Sequence, residues 1–303
     1  MQPRPTLLDG GTGRELLRLG APFRQPEWSA LALIEAPQYV TRVHQAYIDA
    51  GADLITTNSY AVVPFHIGAA RFQRQGFTLA ALSGKLAREA AENAHRAVLV
   101  AGSLPPVCGS YRPDLFEASV ARPVLQELVR ALELYVDVWL AETVSSQAEM
   151  VLMSEVVAGH RQPWWVSYTL DDGPTHSSGP RLRSGEPVEA AVLHAARRGA
   201  KAVLFNCCQP EAIGAAVGVA RKALDAYAAA GASRVRLGAY ANAFPPQPPT
   251  ASANTGLSAL RPDLGPEEYL AWVRQWLADG AEIVGGCCGV GPEHIARMRA
   301  AIG

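Results

Sequence analysis

Short apolar runs recur along the chain, each followed by a longer stretch with helical spacing. The runs lie at 6–9, 54–58, 98–102, 136–141, 164–169, 202–206, 235–239 and 282–285. They are continuously apolar rather than alternating, the mark of strands buried on both faces in a parallel sheet. The intervening stretches predict helices at 14–19, 36–50, 78–96, 123–135, 145–157, 187–198, 210–230, 266–278 and 292–301. Pro37 and Pro292 stand in first helical turns, and Ser145 or Ser146 can cap the helix after the fourth strand. Several helices close with one grammar: Gly51-Ala52-Asp53, Gly199-Ala200-Lys201 and Gly280-Ala281-Glu282, each running straight into the next strand. Segments 171–186 and 242–262, rich in Gly, Pro and polar residues, predict loops. Eight strand-then-helix units in a row predict a (β/α)8 TIM barrel, one domain over residues 1–303. A doubly wound sheet is the alternative, but no Gly-x-Gly-x-x-Gly follows the first strand.

Composition narrows the function classes. Hydrophobic residues make up 49% of the 303 and charged residues 18%, enough for a large core and too apolar for disorder. The net charge of -1, without charge blocks, gives no electrostatic basis for binding nucleic acid or an anionic membrane. Met1-Gln2-Pro3-Arg4-Pro5 lacks the apolar stretch of a signal peptide, and no run approaches the ~18 residues of a membrane helix. The 5 cysteines, two pairs of them adjacent in sequence, do not form a disulfide framework. Reduced thiols in a cytoplasmic protein are expected.

In such a barrel the residues just past each strand line one mouth, where chemistry sits. Those residues are Asp9, Asn58 to Tyr60, Gly102 and Ser103, Glu142, Tyr168 and Thr169, Asn206 and Cys207, Tyr240 and Asn242, and Cys287 and Cys288. Three converging thiolates suit Zn²⁺, and three protein ligands with one open position is the catalytic arrangement. Cys207, Cys287 and Cys288 are the expected ligands. Cys207 is preferred over Cys208 because it lies nearer the strand end. The competing reading is that these cysteines are core hydrophobes.

A Zn²⁺ held by three thiolates is electron-rich and suits a fourth sulfur held as thiolate better than it suits making hydroxide. A free thiol, with its pKa of ~8.5, is only a few per cent ionised at pH ~7. A cationic methyl donor would be drawn to such a site. Asp9 and Glu142 can bind the ammonium of an amino-acid substrate; capping of the first helix and a structural ion pair are their alternatives. Tyr60 can be a weak fourth ligand or a pocket wall. Asn206 can support the site or only form a turn.

The motifs carrying these residues are Leu8-Asp9-Gly10-Gly11-Thr12-Gly13-Arg14-Glu15-Leu16, Thr56-Thr57-Asn58-Ser59-Tyr60, Val100-Ala101-Gly102-Ser103-Leu104, Ala141-Glu142-Thr143, Leu182-Arg183-Ser184-Gly185-Glu186-Pro187, Asn206-Cys207 and Gly285-Gly286-Cys287-Cys288-Gly289. In this order, over nearly the whole chain, they resemble the homocysteine S-methyltransferase family, zinc-dependent barrels that methylate homocysteine to methionine. The resemblance implies zinc on Cys207, Cys287 and Cys288, and the homocysteine amino group on Asp9 and Glu142, with Gly10 beside it. It also implies a metal-side tyrosine at Tyr60. Two stretches depart from the family pattern. Tyr240-Ala241-Asn242-Ala243-Phe244 stands where S-methylmethionine users read Tyr-Pro-Asn-Ser-Gly, and Leu104-Pro105-Pro106-Val107-Cys108-Gly109 replaces a Gly-Pro-Tyr-Gly loop.

The expected reaction is methyl transfer from a small onium donor, S-methylmethionine or S-adenosylmethionine, to homocysteine. Betaine as donor, or another thiol or selenol as acceptor, is an alternative. So is a zinc hydrolase on the same barrel, although His66, His176 and His194 sit in no ligand motif. A barrel that only binds zinc or a thiol is the third class. Small-molecule substrates are the expected partners, with no nucleic acid and no membrane.

Overall fold

The computed structural model describes residues 4–173, 179–247 and 256–303. Residues 1–3, His176 and parts of the two long loops anticipated from sequence lie outside that set.

From the N-terminus the elements are β1 (Thr6–Leu7), α1 (Thr12–Arg18), α2 (Ser29–Glu35), α3 (Gln38–Asp49), β2 (Leu54–Thr56), α4 (Pro64–Ile67) and α5 (Ala69–Glu92). Next come β3 (Leu99–Leu104), a 3₁₀ turn (Pro113–Leu115), α6 (Ala118–Leu132), β4 (Val138–Val144), α7 (Gln147–Val156), β5 (Trp164–Tyr168) and α8 (Val188–Arg197). The chain finishes with β6 (Ala202–Asn206), α9 (Pro210–Ala229), β7 (Arg236–Tyr240), α10 (Pro266–Ala278), β8 (Ile283–Val284) and α11 (Pro292–Ile302).

All eight strands pair in parallel in sequence order, and β1 pairs with β8. The ring closes through a parallel bridge between Leu8 and Leu54, with Asp53 N donating to Leu7 O at 2.7 Å and Asp9 N to Leu54 O at 3.0 Å. A doubly wound sheet has two open edges; this sheet has none, so the architecture is the (β/α)8 barrel. Among the described residues no helix is long and apolar enough to cross a membrane.

Side chains alternate across the strands. Leu8, Leu54, Leu140, Trp165, Leu204 and Ile283 fill the barrel interior. Val100, Trp139, Val166, Val203, Leu237 and Val284 point outward and pack under the helices. Such burial on both faces is why the strand segments read as continuous apolar runs.

Three helical features differ from the sequence pattern. α2 was not anticipated; Ser29, Ala30, Leu31, Ala32 and Leu33 are all buried, so no polar face marks its period. α5 begins at Ala69 rather than at 78, and the single-turn α4 precedes it. α6 begins at Ala118 and carries Pro123 inside it, where the pattern put its start. At α7 the cap is Ser146, whose hydroxyl accepts from Glu149 N at 3.2 Å while Glu149 Oε2 accepts from Ser146 N at 3.0 Å.

Candidate metal centre and substrate cavity

The strand alternation makes a specific statement about β6. Ala202 and Leu204 face inward, Val203 and Phe205 outward, so Asn206 faces inward and Cys207 should face out. It does not, because Cys207 sits in the left-handed region at φ 57°. That turn swings its sulfur into the mouth and sends the next side chain, Cys208, into the outer core, where it is fully buried. The backbone reversal separates the adjacent cysteines. Cys108 lies apart, half-buried, its Sγ 4.0 Å from Glu117 O.

β8 delivers the other two sulfurs. Gly289 has φ 88° and makes a left-handed turn. Gly286 is required by close approach instead: a Cβ there would lie 2.1 Å from Val290 Cγ1. The Sγ atoms of Cys207, Cys287 and Cys288 all fall within 4.8 Å of one another, with Cys207 and Cys287 at 3.2 Å. An ion ~2.3 Å from each of three tetrahedrally placed sulfurs requires them roughly 3.8 Å apart, so the trio fits Zn²⁺ with only small adjustments. Bonds from Cys207 and Cys287 hold the Cys288 thiol well below the usual thiol range, against the effect of burial. Bonds to Cys207 and Cys288, together with burial, push Cys287 up. Three sulfurs this close together cannot all carry a negative charge unless a cation sits among them.

Two carboxylates face the same space. Asp9 accepts from Thr56 N at 2.7 Å and from Thr56 Oγ1 at 3.1 Å. It does not cap α1, whose cap position is Gly11. Glu142 lies inside β4, which continues to Val144; a register irregularity between Ala141 and Val144 and a left-handed Thr143 at φ 60° shape its surroundings. Its Oε1 accepts from Ser103 Oγ. Burial pushes Asp9 up to about 7, with Thr56 opposing and Glu142 adding to the rise. Burial likewise raises Glu142 to about 7 against the Ser103 bond. Among the described residues neither acid has an ion-pair partner, so both are available to a cation from outside.

A cavity of about 370 Å³ joins these groups. Asp9, Gly10, Glu142, Tyr60 and the three cysteines line it, together with Trp28, Tyr111, Tyr240, Phe244 and Arg14. Tyr60 OH bonds Ser110 Oγ at 2.6 Å. Gly10 is confined by packing: a Cβ would lie 2.3 Å from Val290 O. Asn206 is fully buried beneath the thiols and does not line the cavity. Its Oδ1 accepts from Thr143 N at 3.0 Å and Ser167 Oγ at 2.8 Å, and its Nδ2 points at Cys287 Sγ at 3.9 Å. Tyr111, Trp28 and Arg14 were not singled out from sequence as site residues. Trp28 precedes the unanticipated helix, and Tyr111 lies in the irregular loop after β3, where no periodicity marks it. Of the departing stretch 240–244, Tyr240 at the end of β7 and Phe244 beyond it reach the cavity.

The chain is similar to known proteins over nearly its whole length. The model of the homocysteine S-methyltransferase family matches residues 6–302. Homocysteine S-methyltransferase of Escherichia coli (strain K12) is 29% identical, across 97% of this chain and 94% of the relative. Selenocysteine Se-methyltransferase of Brassica oleracea var. italica is 26% identical, across 95% of this chain and 86% of the relative. The crystal structure of the homocysteine methyltransferase MmuM from Escherichia coli, in metallated form, superposes with a TM-score of 0.74 at 27% identity, covering 99% and 97% of the two chains.

Proposed function

Since the chain belongs to the homocysteine S-methyltransferase family, we propose that Cys207, Cys287 and Cys288 bind Zn²⁺ and that Asp9 and Glu142 bind the homocysteine ammonium. On this reading residues 1–303 act as one homocysteine-binding barrel, and the methyl donor is a small sulfonium, S-methylmethionine or S-adenosylmethionine. The observation that carries it is the convergence of three sulfurs within 4.8 Å at the barrel mouth, beside two buried acids that have no ion-pair partner among the described residues.

Zn²⁺ on three thiolates would hold the acceptor sulfur as thiolate at neutral pH. The chain's own groups do the rest. Asp9 and Glu142, ionised, take the acceptor's ammonium and so fix the distance from its α-carbon to the thiol. The net negative charge of this arrangement favours a cationic donor. Trp28, Tyr60, Tyr111 and Phe244 supply aromatic walls that exclude water and attract an onium cation. The methyl group passes from sulfonium to acceptor sulfur, and the electron pair of the broken bond stays with the departing thioether. That product is neutral and has lost the attraction that brought the donor in. Asn206, under the thiols, acts here by orienting Cys287 and Thr143 rather than by touching substrate.

The test is a donor panel. Purified enzyme with zinc, homocysteine and each of S-methylmethionine, S-adenosylmethionine and betaine is expected to form methionine with a sulfonium and to lose it in Cys288→Ser. Absence of methyl transfer with every donor of the panel, despite bound zinc, overturns the reading. The similarity to a selenocysteine Se-methyltransferase makes selenocysteine the second acceptor to include.

A further inference from the structure

We infer that Tyr111 is a positioning residue that hydrogen-bonds the Cys207 sulfur of the metal site and lowers its nucleophilicity, and that the buried Asp172–Arg183 pair holds Tyr111 in place. The inference rests on the reading of Cys207 as a metal ligand.

The Tyr111 hydroxyl donates to Cys207 Sγ at 3.0 Å, and both residues are buried. Tyr111 holds φ 67°, a region that a residue with a bulky side chain enters at a cost of order 1–3 kcal/mol. Something must offset that cost. The Arg183 guanidinium lies over the Tyr111 ring, 4.7 Å from its centroid. Arg183 pairs with Asp172 at 2.8 Å, their side chains only 3% and 0% exposed. Asp172 is itself fixed by the main chain, accepting from Gln209 N at 2.9 Å and Gln247 N at 3.1 Å. Arg183 also donates to Gln247 O at 3.0 Å. The plate above the ring is thus tied to the start of α9 and to the loop after β7. A cation over the face of a phenol also draws electron density toward the ring, which makes its O–H a better donor.

The chemical consequence is selection among sulfurs. During turnover the mouth would hold four sulfurs able to act as nucleophiles: three ligands and the acceptor. A hydrogen bond to a thiolate spreads its charge and weakens it as a nucleophile. Cys207 receives an O–H at 3.0 Å, whereas among the described residues the one side-chain amide directed at Cys287 is 3.9 Å away. Without the phenol, Cys207 competes better with the acceptor for an electrophile.

The experiment compares the unaltered protein with Tyr111→Phe and Arg183→Lys, the second keeping the charge while removing the planar stack. Zinc affinity is measured by competition with a chromophoric chelator. The loss expected for Tyr111→Phe is ~10–100-fold, the usual effect of removing a group that bonds a metal ligand. In the Co²⁺-substituted protein the sulfur-to-metal charge-transfer band should move to lower energy. In the zinc-loaded protein, iodoacetamide should label Cys207 faster, as read by peptide mass mapping. Arg183→Lys should change all three in the same direction by less, and it carries the test if Tyr111→Phe does not fold. Unchanged affinity, spectrum and labelling in folded variants overturn the inference. Cys207→Ser separates the two levels: if it keeps full zinc, the ligand reading itself fails.

Discussion

Asp9→Asn tests the assignment of the ammonium site with opposite effects on binding and stability. The carboxylate is buried and accepts two bonds from Thr56, at 2.7 and 3.1 Å. Asparagine can keep the bond from Thr56 N through its carbonyl and donate its amide to the Thr56 hydroxyl, so the fold should tolerate it. What it cannot do is present a negative charge to an ammonium. A charge-assisted hydrogen bond is worth roughly 1.5–3 kcal/mol, which predicts a KM for homocysteine raised about 10- to 100-fold with zinc content unchanged. The sign of the pH effect follows from the shift of Asp9 to about 7. Its folded value lies above its unfolded one, so the folded state retains a proton that the unfolded chain releases. Stability contributed by that proton is present below the unfolded pKa and is lost as pH rises through the folded value near 7. Asp9→Asn should therefore melt higher than the unaltered protein at pH ~8 while binding homocysteine more weakly. In the unaltered enzyme, kcat/KM for homocysteine should fall as pH drops below about 7, because the protonated acid cannot take the ammonium. The variant should lose the part of that dependence due to Asp9 and keep the part due to Glu142, which burial also raises to about 7. Steady-state kinetics across pH, thermal melts and metal analysis cover the three claims. An unchanged KM, or zinc loss equal to the KM effect, would refute the assignment.

Cys207→Ser, Cys287→Ser and Cys288→Ser should each lower zinc content markedly by metal analysis, whereas Cys108→Ser should not. Cys208→Ser should retain zinc but melt lower, since it places a hydroxyl in the fully buried outer core. Glu142→Gln should raise the homocysteine KM while leaving zinc bound, measured as for Asp9→Asn. Gly286→Ala puts a Cβ 2.1 Å from Val290 Cγ1, so the loop carrying Cys287 and Cys288 must shift. Overpacking of this kind costs about 1–3 kcal/mol, and both a lower melting temperature and easier zinc removal by chelator are expected.

Much of this was legible in the chain. The eight apolar runs were, because a strand buried on both faces cannot afford polar positions and so announces itself. The positions of Asp9 and the Cys287–Cys288 pair followed from the barrel rule that strand ends form one mouth. α2 was not legible: with Ser29 to Leu33 buried in succession, it has no amphipathic period to detect. The extension of β4 past Glu142 was also hidden, since it depends on an irregular register with β5 and a left-handed Thr143.

The cysteines show where the division falls. That two adjacent pairs stand at strand ends is a property of the linear order, and it was enough to suggest a thiolate metal centre. Nearness to the strand end favoured Cys207 over Cys208, and Cys207 is the one in the cluster, but simple alternation would turn it outward, so the linear order alone does not decide the point. The left-handed turn at Cys207 reverses it, and that conformation is held by packing and by the Tyr111 bond, contacts from residues 96 positions away. Residue type and spacing along the chain are local, so chemistry and architecture could be read from them. Backbone strain and its compensation are non-local, so the final aim of each sulfur and acid was decided only when the barrel closed.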